Sequence, residues 1–220
     1  VVATPAQETE AVVRDWCQTL ARLLDGITYA SVMVVHLGFS RDAVAHRLEG
    51  TGFLVPGHEN RQINGCLWPA SVFSNRAPQG HVLLSCYLGG ARHPGALLDD
   101  DKTAVNKVLS DLEPLLGLRA DPVMVRIDRH PRALPLYFGA YSQSLKSIDQ
   151  QFEKSSGLHL VSAYAGGVSV RDRLIQAGAV AEKISTQLLG SQAVRRLSVN
   201  ATKGLPQTPL ASGQTLTQPL

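Results

Sequence analysis

Residues 157–190 place the strongest constraint on what this chain can fold into. They begin with a short apolar run, GLHLVSAY, are interrupted at Gly166 and Gly167, and continue with apolar residues three and four positions apart. This order predicts a strand over residues 157–164, then a glycine turn and the N-terminus of a helix. Many α/β proteins place a cofactor or an anion at such a helix N-terminus.

The glycine turn lacks the pattern of a phosphate loop. No GxGxxG and no GKS or GKT follows the glycines, although both patterns would be expected if backbone amides cradled a pyrophosphate. The turn therefore requires another explanation than phosphate binding.

Composition excludes several classes of protein. With 220 residues, 44% of them hydrophobic, the chain can bury one or two cores. A formal charge of +3 and 5% aromatic residues argue against a nucleic-acid binder. No apolar run approaches the ~20 residues of a membrane span, so we predict a cytoplasmic protein and leave attachment to a membrane surface open.

Cysteine, histidine and aspartate positions predict no metal site. Cys17, Cys66 and Cys86 are odd in number and far apart, which favours buried reduced thiols over a zinc site or a disulfide scaffold. His36 lies in an apolar run without a second ligand at a useful spacing, so an interior histidine is the favoured interpretation. The acidic residues 99–101 are interpreted as helix capping.

The first part of the chain predicts one helix and four strands. Spacings of three and four predict a helix over residues 8–27, with Trp16 in the core. The β-branched residues 28–39 predict a strand buried on both faces. Residues 52–56, 63–69 and 81–90 predict an antiparallel meander. The sheet side chains would be Phe53, Val55, Ile63, Leu67, Leu83, Cys86 and Leu88.

The second part predicts three helices and one further strand besides residues 157–164. A helix should run from residues 99–101 to about Leu116 and end at Gly117, with Val105, Val108, Leu109, Leu112 and Leu115 facing inward. A strand over residues 122–129, with Val123, Val125 and Ile127 on one face, should end at 130–132, before a rigid connector at 133–137. Helices should follow over 142–154 and from Val168. The apolar side of the last one would carry Leu174, Ile175, Ala181, Ile184 and Leu188.

The two ends of the chain differ from its middle. Residues 191–220 are rich in Thr, Pro, Gln and Ser without periodicity, which predicts a disordered tail. The chain opens on VVATPA, an apolar pair before a turn, which looks like the end of a strand. We therefore expect it to be the C-terminal part of a longer protein.

Four strings occur in order: GFLVP, GCLWPASVFSNRAPQGHVLLSCYLGGARHP, VRIDRHPRALPLY and AYAGGVSVRDRLIQAG. Together they resemble the C-terminal half of the FAD-dependent protoporphyrinogen oxidases and the related bacterial coproporphyrinogen oxidases, which are amine oxidase-type flavoproteins. The resemblance covers residues 1–189. One of these strings alone would be a weak signal, but four in order form a specific one.

The resemblance implies a mixed α/β (α+β) fold with a Rossmann-like FAD domain and a substrate domain with a mixed or antiparallel sheet. Residues 1–10 would end a middle segment of the FAD domain, and 11–154 would belong to the substrate domain. Residues 155–190 would be the closing strand, turn and helix of the FAD domain, and 191–220 the tail. The N-terminal FAD-binding unit would be missing from these 220 residues.

The resemblance also assigns the glycine turn to FAD. The backbone of Gly166, Gly167, Val168, Ser169 and Val170 would face the pyrimidine side of the flavin ring. Reduced flavin carries negative charge there, and a helix N-terminus stabilises it. Glycines would let the backbone approach the ring. Arg171 could reach a flavin or phosphate oxygen, and Asp172 would be a first-turn carboxylate.

The implied reaction removes six electrons and six hydrogens from a porphyrinogen, with FAD as acceptor and oxygen as final acceptor. The apolar macrocycle with its propionates would need an apolar wall and a cation. Expected substrate contacts are Phe53, Leu67, Leu134 and Tyr137, with Arg92 or Arg132 as propionate partner. No catalytic acid or base is assigned, because the flavin carries the hard chemistry.

Two positions depart from the family's pattern and keep other functions open. Residues 161–163 replace the usual Ala-Gly-Asn, so Ser162 is expected to crowd the flavin, and residues 140–141 replace the usual Gly-His. Alternatives are an inactive remnant that binds porphyrin or acts as an interaction module, and a different amine oxidase-type flavoenzyme. The expected partners are the porphyrinogen, an N-terminal FAD-binding portion and, for the full-length enzyme, a membrane surface.

Overall fold

A computed structural model describes residues 1–189, which form a five-stranded antiparallel sheet with helices around it. The strands are β1 (Tyr29–Ser40), β2 (Gly52–Leu54), β3 (Ile63–Leu67), β4 (His81–Gly89) and β5 (Met124–Pro135). The helices are α1 (Ala6–Val13), α2 (Gln18–Asp25), α3 (Pro69–Val72), α4 (Asp101–Leu116), α5 (Tyr141–Glu153), α6 (Ala163–Gly166) and α7 (Val170–Leu189). The mixed α/β fold class is confirmed, and the predicted tail lies outside the described residues.

The long strand β1 lies between β4 and β5 in a sheet of order β2-β3-β4-β1-β5. It pairs with β4 from Val32 to Ser40 and with β5 from Tyr29 to Gly38. The apolar run predicted over residues 28–39 is therefore a central strand, and the predicted meander is confirmed in β2, β3 and β4.

One face of the sheet packs against α4. Alternate residues of β1 point into this core and are fully buried, and they meet Val108 and Leu112 of α4. Each such side chain contributes on the order of 1.5–3 kcal/mol by leaving water. The β1 residues of this face are Met33, Val35, Leu37 and Phe39.

The other face, here called the open face, carries the alternate residues of the same strands. Directly paired residues in antiparallel strands share a face, and His36 pairs with Ser85 on one side and Arg126 on the other. Apart from Val34 and Ser85, the side chains of this face are half-buried or exposed. The open face comprises Val34, His36, Leu67, Leu83, Ser85, Tyr87, Arg126 and Asp128.

Both ends of α4 follow the sequence prediction. Asp100 caps the helix, since its carboxylate accepts a hydrogen bond from the Thr103 N–H at 2.7 Å, and Gly117 ends it with a φ of 62°. Of the predicted inward residues, Leu115 is exposed and Leu116 is buried instead. Leu116 continues the row of buried side chains spaced four apart that includes Val108 and Leu112.

A second core lies among α1, α2, α5 and α6. The single helix predicted over residues 8–27 is wrong, because the chain breaks after Val13 and resumes at Gln18. The break lets Leu20 and Leu24 pack among the residues of this core, and it leaves Trp16, predicted to be buried, 58% exposed.

Strand β5 continues past the predicted stop at residues 130–132 and ends at Pro135. His130 pairs with Val32 and Leu134 with Ala30, so β5 carries two extra residues in a bulge. Pro131 is tolerated because β5 is an edge strand, where a missing N–H breaks no ladder. Because of the same edge position, Val123 and Val125 are exposed.

The strand predicted over residues 157–164 is wrong. Val2 and Leu160 form one parallel bridge, with Val2 N–H donating to His159 O at 2.8 Å and Val161 N–H to Val2 O at 2.9 Å. The chain then turns into α6, because the Ser162 hydroxyl accepts a hydrogen bond from Tyr164 N–H at 3.4 Å. Because only this one bridge forms, residues 157–164 do not make a strand.

Helix α7 forms as predicted, but its apolar side is not buried within the described chain. Leu174, Ile175 and Leu188 are all more than half exposed, and no residue of α7 is fully buried. Within residues 1–189, no helix combines the length and hydropathy that crossing a membrane requires.

Asp111 ties α4 to the sheet, and its removal should destabilise the protein. Its carboxylate accepts hydrogen bonds from the N–H groups of Gln62 at 2.7 Å and Ile63 at 3.0 Å. Asp111→Ala leaves these two donors unpaired, so the free energy of unfolding should fall by about 2–4 kcal/mol in urea denaturation. The exposed Asp121→Ala is the control. Equal stability of both variants would contradict this role.

Candidate cofactor and substrate site

The Gly166–Gly167 turn joins α6 to α7 and is held by side chains of α7. Gly167 has a φ of 98°, a backbone conformation that residues with a side chain rarely adopt. A Cβ on Gly167 would lie 2.5 Å from the Asp172 carboxylate, and one on Gly166 would lie 1.5 Å from the Gln176 amide nitrogen. The positions that a Cβ would occupy are therefore filled by α7 itself, which is a reason for glycine independent of any cofactor.

A capping box closes the first turn of α7. The Ser169 N–H donates to Asp172 Oδ2 at 3.2 Å, and the Asp172 N–H donates to Ser169 Oγ at 3.0 Å. These bonds hold the pKa of Asp172 below its usual range, as does the nearby positive charge of Arg173. Asp172 is thus a structural carboxylate, as the sequence predicts.

Three backbone donors at this helix start remain unpaired within residues 1–189: the N–H groups of Val168, Val170 and Arg171. Val168 and Val170 are exposed. The first N–H groups of a helix have no partner in the helix and carry its partial positive charge. The turn therefore presents donors for a carbonyl or anionic oxygen.

Arg173, which the sequence analysis did not select, is the most distinctive side chain of the turn. One of its Nη atoms donates to the Gly167 carbonyl. Its Nε and other Nη atom are buried without a hydrogen-bond partner in the described residues. Arg171, the predicted candidate, is exposed instead. The sequence does contain a signal for this role, because Arg173 lies one helical turn after Ser169 and its side chain can therefore point back toward the glycine turn.

Leaving the buried Nε and one Nη of a guanidinium without acceptors is costly. The donors of Arg173 and the free amides of α7 together suit a group that bears carbonyl oxygens and accumulates negative charge. A flavin ring is such a group, so the residues present fit FAD at this turn.

Two tyrosines connect the end of β5 to α6. Tyr137 Oη donates to the Ala163 carbonyl at 2.6 Å, and Tyr141 Oη donates to the Tyr164 carbonyl. Their rings meet edge to face at 4.8 Å. Burial raises the pKa of both phenols, so they stay neutral donors. Tyr137, an expected substrate contact, therefore lies beside the candidate cofactor turn.

The expected substrate contacts do not form one cluster. Leu67 on β3 and Leu134 on β5 share the open face, but three strand spacings of ~4.8 Å separate their strands. Phe53 points to the opposite face, where it packs near Trp68 in the core. Arg92 donates to the Val55 carbonyl at 3.0 Å and so holds the edge of the sheet.

The remaining predicted positions are also placed. Arg132 is exposed on β5. Ser162, expected to crowd a flavin, is buried, and its hydroxyl is turned toward the start of α6. Its N–H donates to the Gln176 side chain at 3.2 Å, which ties the start of α6 to α7.

Comparison with known families gives one match. Residues 1–184 match the family described as flavin containing amine oxidoreductase. This stretch includes the sheet, the glycine turn and most of α7. The match confirms the resemblance found in the sequence, the oxidoreductase class and FAD as the cofactor.

Curated relatives include porphyrinogen oxidases. A coproporphyrinogen III oxidase of Bacillus subtilis (strain 168) is 28% identical over 159 residues, covering 72% of this chain and 34% of the relative. The mitochondrial protoporphyrinogen oxidase of Nicotiana tabacum is 32% identical over 155 residues, 69% of this chain and 31% of the relative. The chain thus spans about a third of the length of these relatives.

Solved structures support the fold. A protein of Exiguobacterium sp. 255-15, provisionally assigned as a protoporphyrinogen oxidase, aligns with a TM-score of 0.69 at 23% identity. The alignment covers 84% of this chain and 40% of that one. A redesigned putrescine oxidase aligns with a TM-score of 0.55 at 13% identity, covering 76% and 37%.

Gly167→Ala should destabilise the turn, because it forces a side chain into a positive φ and against Asp172. We expect a loss of about 1–3 kcal/mol in chemical denaturation. Gly178→Ala is the control on α7, since its Cβ meets no atom, and it should be neutral or stabilising. A Gly167 variant as stable as the control would show that the turn does not require glycine.

Proposed function

Because the chain belongs to the flavin containing amine oxidoreductase family, we propose that it forms part of an enzyme that oxidises a porphyrinogen with FAD. The carrying observation is that relatives named as porphyrinogen oxidases match about 70% of the chain. The proposed reaction converts protoporphyrinogen IX to protoporphyrin IX, or the coproporphyrin counterpart, with oxygen as final acceptor.

The glycine turn is proposed to hold the flavin ring. FAD supplies the hydride-accepting chemistry when bound. The N–H groups of Val168 and Val170 and the guanidinium of Arg173 would hydrogen-bond the polar edge of the ring, where reduction adds negative charge. Donors that are already oriented stabilise such charge without reorganisation. Gly166 and Gly167 would serve this site indirectly, because they let the turn pack against Asp172 and Gln176 of α7.

The substrate is proposed to lie toward Tyr137 and Leu134, at the end of β5. Tyr137 is fixed to the start of α6 by its hydrogen bond to Ala163, so it would lie near the proposed flavin. Leu134 lies close to it in sequence and is exposed. Arg132, rather than Arg92, is the proposed propionate partner, because Arg92 is engaged with Val55.

An N-terminal FAD-binding portion is the proposed partner, either in one longer chain or as a second chain. The exposed apolar residues Leu174, Ile175 and Leu188 of α7 would be covered by it, since burying them is favourable. The assembled enzyme is proposed to bind a membrane surface from outside, as the sequence resemblance implies.

A second candidate function is a porphyrin-binding module without catalysis. One observation favours it: the 220 residues contain no GxGxxG. Such a module would bind porphyrin but need no flavin.

The two candidates differ in what they bind. We expect the purified chain to bind FAD weakly and to show no oxidase activity, because its sequence offers no pyrophosphate site. Adding the part of the Bacillus subtilis relative that this chain does not match should produce bound flavin and turnover of a porphyrinogen. Flavin absorbance and porphyrin fluorescence measure the two effects. Porphyrin binding without flavin-dependent turnover would favour the second candidate.

We call this chain together with the added part of the Bacillus subtilis relative the complemented enzyme. In it, Arg173→Met should weaken FAD binding. Loss of a charged hydrogen bond predicts about a 10- to 100-fold lower affinity, measured by quenching of flavin fluorescence. Arg171→Met removes the neighbouring exposed charge and is the control, expected to change affinity little. Equal effects of the two variants would contradict a contact between Arg173 and the flavin.

A further inference from the structure

Three polar side chains meet in the middle of the open face. His36 Nδ1 lies 2.8 Å from Ser85 Oγ on β4, and His36 Nε2 lies 3.5 Å from Asp128 Oδ2 on β5. Register explains the meeting, because His36 pairs directly with Ser85 and with Arg126, whose strand neighbour on the same face is Asp128.

The two His36 contacts differ in kind. At 2.8 Å the first is a hydrogen bond, while 3.5 Å exceeds the usual length of one. In the tautomer whose Nδ1 proton is donated to Ser85 Oγ, Nε2 carries a lone pair on the open face, beside Asp128. Asp128 stays close enough to stabilise an imidazolium by its charge. Asp128 is itself held by Arg126, which donates to both carboxylate oxygens at 2.9 and 3.0 Å.

The charged state of the cluster suits a proton acceptor. Burial lowers the pKa of His36, and the positive charge of Arg126 acts in the same direction, while Asp128 opposes both. His36 is therefore neutral near pH 7. The Arg126 bond and the charges of His36 and His130 hold the pKa of Asp128 low. Among residues 1–189, the groups facing His36 are thus Ser85 on β4 and Arg126 and Asp128 on β5, with His130 beyond Asp128.

The surroundings are apolar and partly open. His36 keeps 28% of its side chain exposed and Asp128 30%. Leu67, Leu83 and Val34 flank the cluster on the open face. Ser85 is only 2% exposed, so it orients the imidazole and is too covered to attack a substrate as a nucleophile. A flat macrocycle on this face could reach His36 Nε2.

We infer that His36 accepts the pyrrole N–H protons released when a porphyrinogen lying on the open face is oxidised. This inference rests on the proposed function. Oxidation to a porphyrin removes four hydrogens from the bridging carbons and two from the pyrrole nitrogens. In each two-electron step, a hydride would leave a bridging carbon for FAD and a proton would leave the macrocycle. Two of the three protons come from pyrrole nitrogens, which would give them to His36 Nε2, and the third comes from the fourth bridging carbon. The substrate gains a double bond, and the imidazolium passes its proton to water. Three steps remove the six hydrogens of the overall reaction.

A nuclear magnetic resonance titration tests the contact without turnover. Imidazole signals of the chain are recorded against pH with and without coproporphyrin III, and His36 is assigned by its loss in His36→Gln. The macrocycle excludes water, so the pKa of His36 should be lower with coproporphyrin III than without it, while the imidazole signals of the exposed His58 should not respond. His36→Gln should weaken coproporphyrin binding by about 2- to 10-fold, and His58→Gln should not.

Kinetics of the complemented, flavin-loaded enzyme test the role. His36→Gln should lower kcat by about 100- to 10,000-fold with a much smaller change in KM, and should remove the acidic limb of the pH profile. His58→Gln should leave both unchanged. If His36→Gln fails to fold, His36 is assigned in the unaltered chain by nuclear Overhauser contacts to Ser85, and its titration still decides whether it meets the macrocycle.

The outcomes separate the two proposals. Coproporphyrin binding that leaves His36 unperturbed overturns this inference and leaves the proposed function standing. A perturbed His36 with unchanged kcat in His36→Gln overturns its role as proton acceptor. Absence of porphyrin binding and of porphyrinogen turnover in the complemented, flavin-loaded enzyme overturns both the inference and the proposed function.

Discussion

The pairing of β1 with a neighbour on each side is the interaction on which the rest of the structure depends. Its backbone hydrogen bonds with β4 and β5 fix every side chain of the three strands to one face or the other. The residues at odd positions from Met33 to Phe39 form the core against α4, and His36 necessarily faces the other way. A shift of one residue would exchange these faces, so core packing and the polar cluster are set by the same register.

The second core links segments that are distant in the chain. Tyr164 of α6 is fully buried against residues of α1, α2 and α5, and its hydroxyl lies 3.3 Å from Thr9. With the Tyr137 and Tyr141 bonds, this packing fixes α6 relative to the end of β5. The glycine turn is therefore positioned by tertiary contacts rather than by a long strand, which explains how it can form although residues 157–164 do not extend into one.

Much of the sheet could be predicted from local pattern, because alternation and β-branched residues depend on neighbours in sequence. The strand β1, the meander and the caps of α4 belong to this group. The break between α1 and α2 could not be predicted, since the apolar spacing continues through it, and the exposure of Trp16 appears only in the folded chain. The bulge in β5 depends on its edge position, which the sequence of β5 alone does not specify.

The candidate site likewise has a part that could be predicted from the sequence and a part that could not. The turn and its capping box follow from glycine and from the Ser169–Asp172 spacing. By contrast, the orientation of Arg173 back toward Gly167 and the meeting of His36, Ser85 and Asp128 need the folded register. The spread of Phe53, Leu67 and Leu134 over the sheet follows from strand order, which a motif cannot supply. Resemblance located the right segments, and the fold decided which of their side chains meet.

Hydrogen exchange on the complemented protein tests the central claim, that the turn before α7 contacts the flavin. Backbone N–H groups of Val168, Val170 and Arg171 should exchange more slowly once FAD is added, because the flavin would pair donors that are free within the described chain. Slower exchange confined to other segments, with residues 168–171 unchanged, would contradict the account.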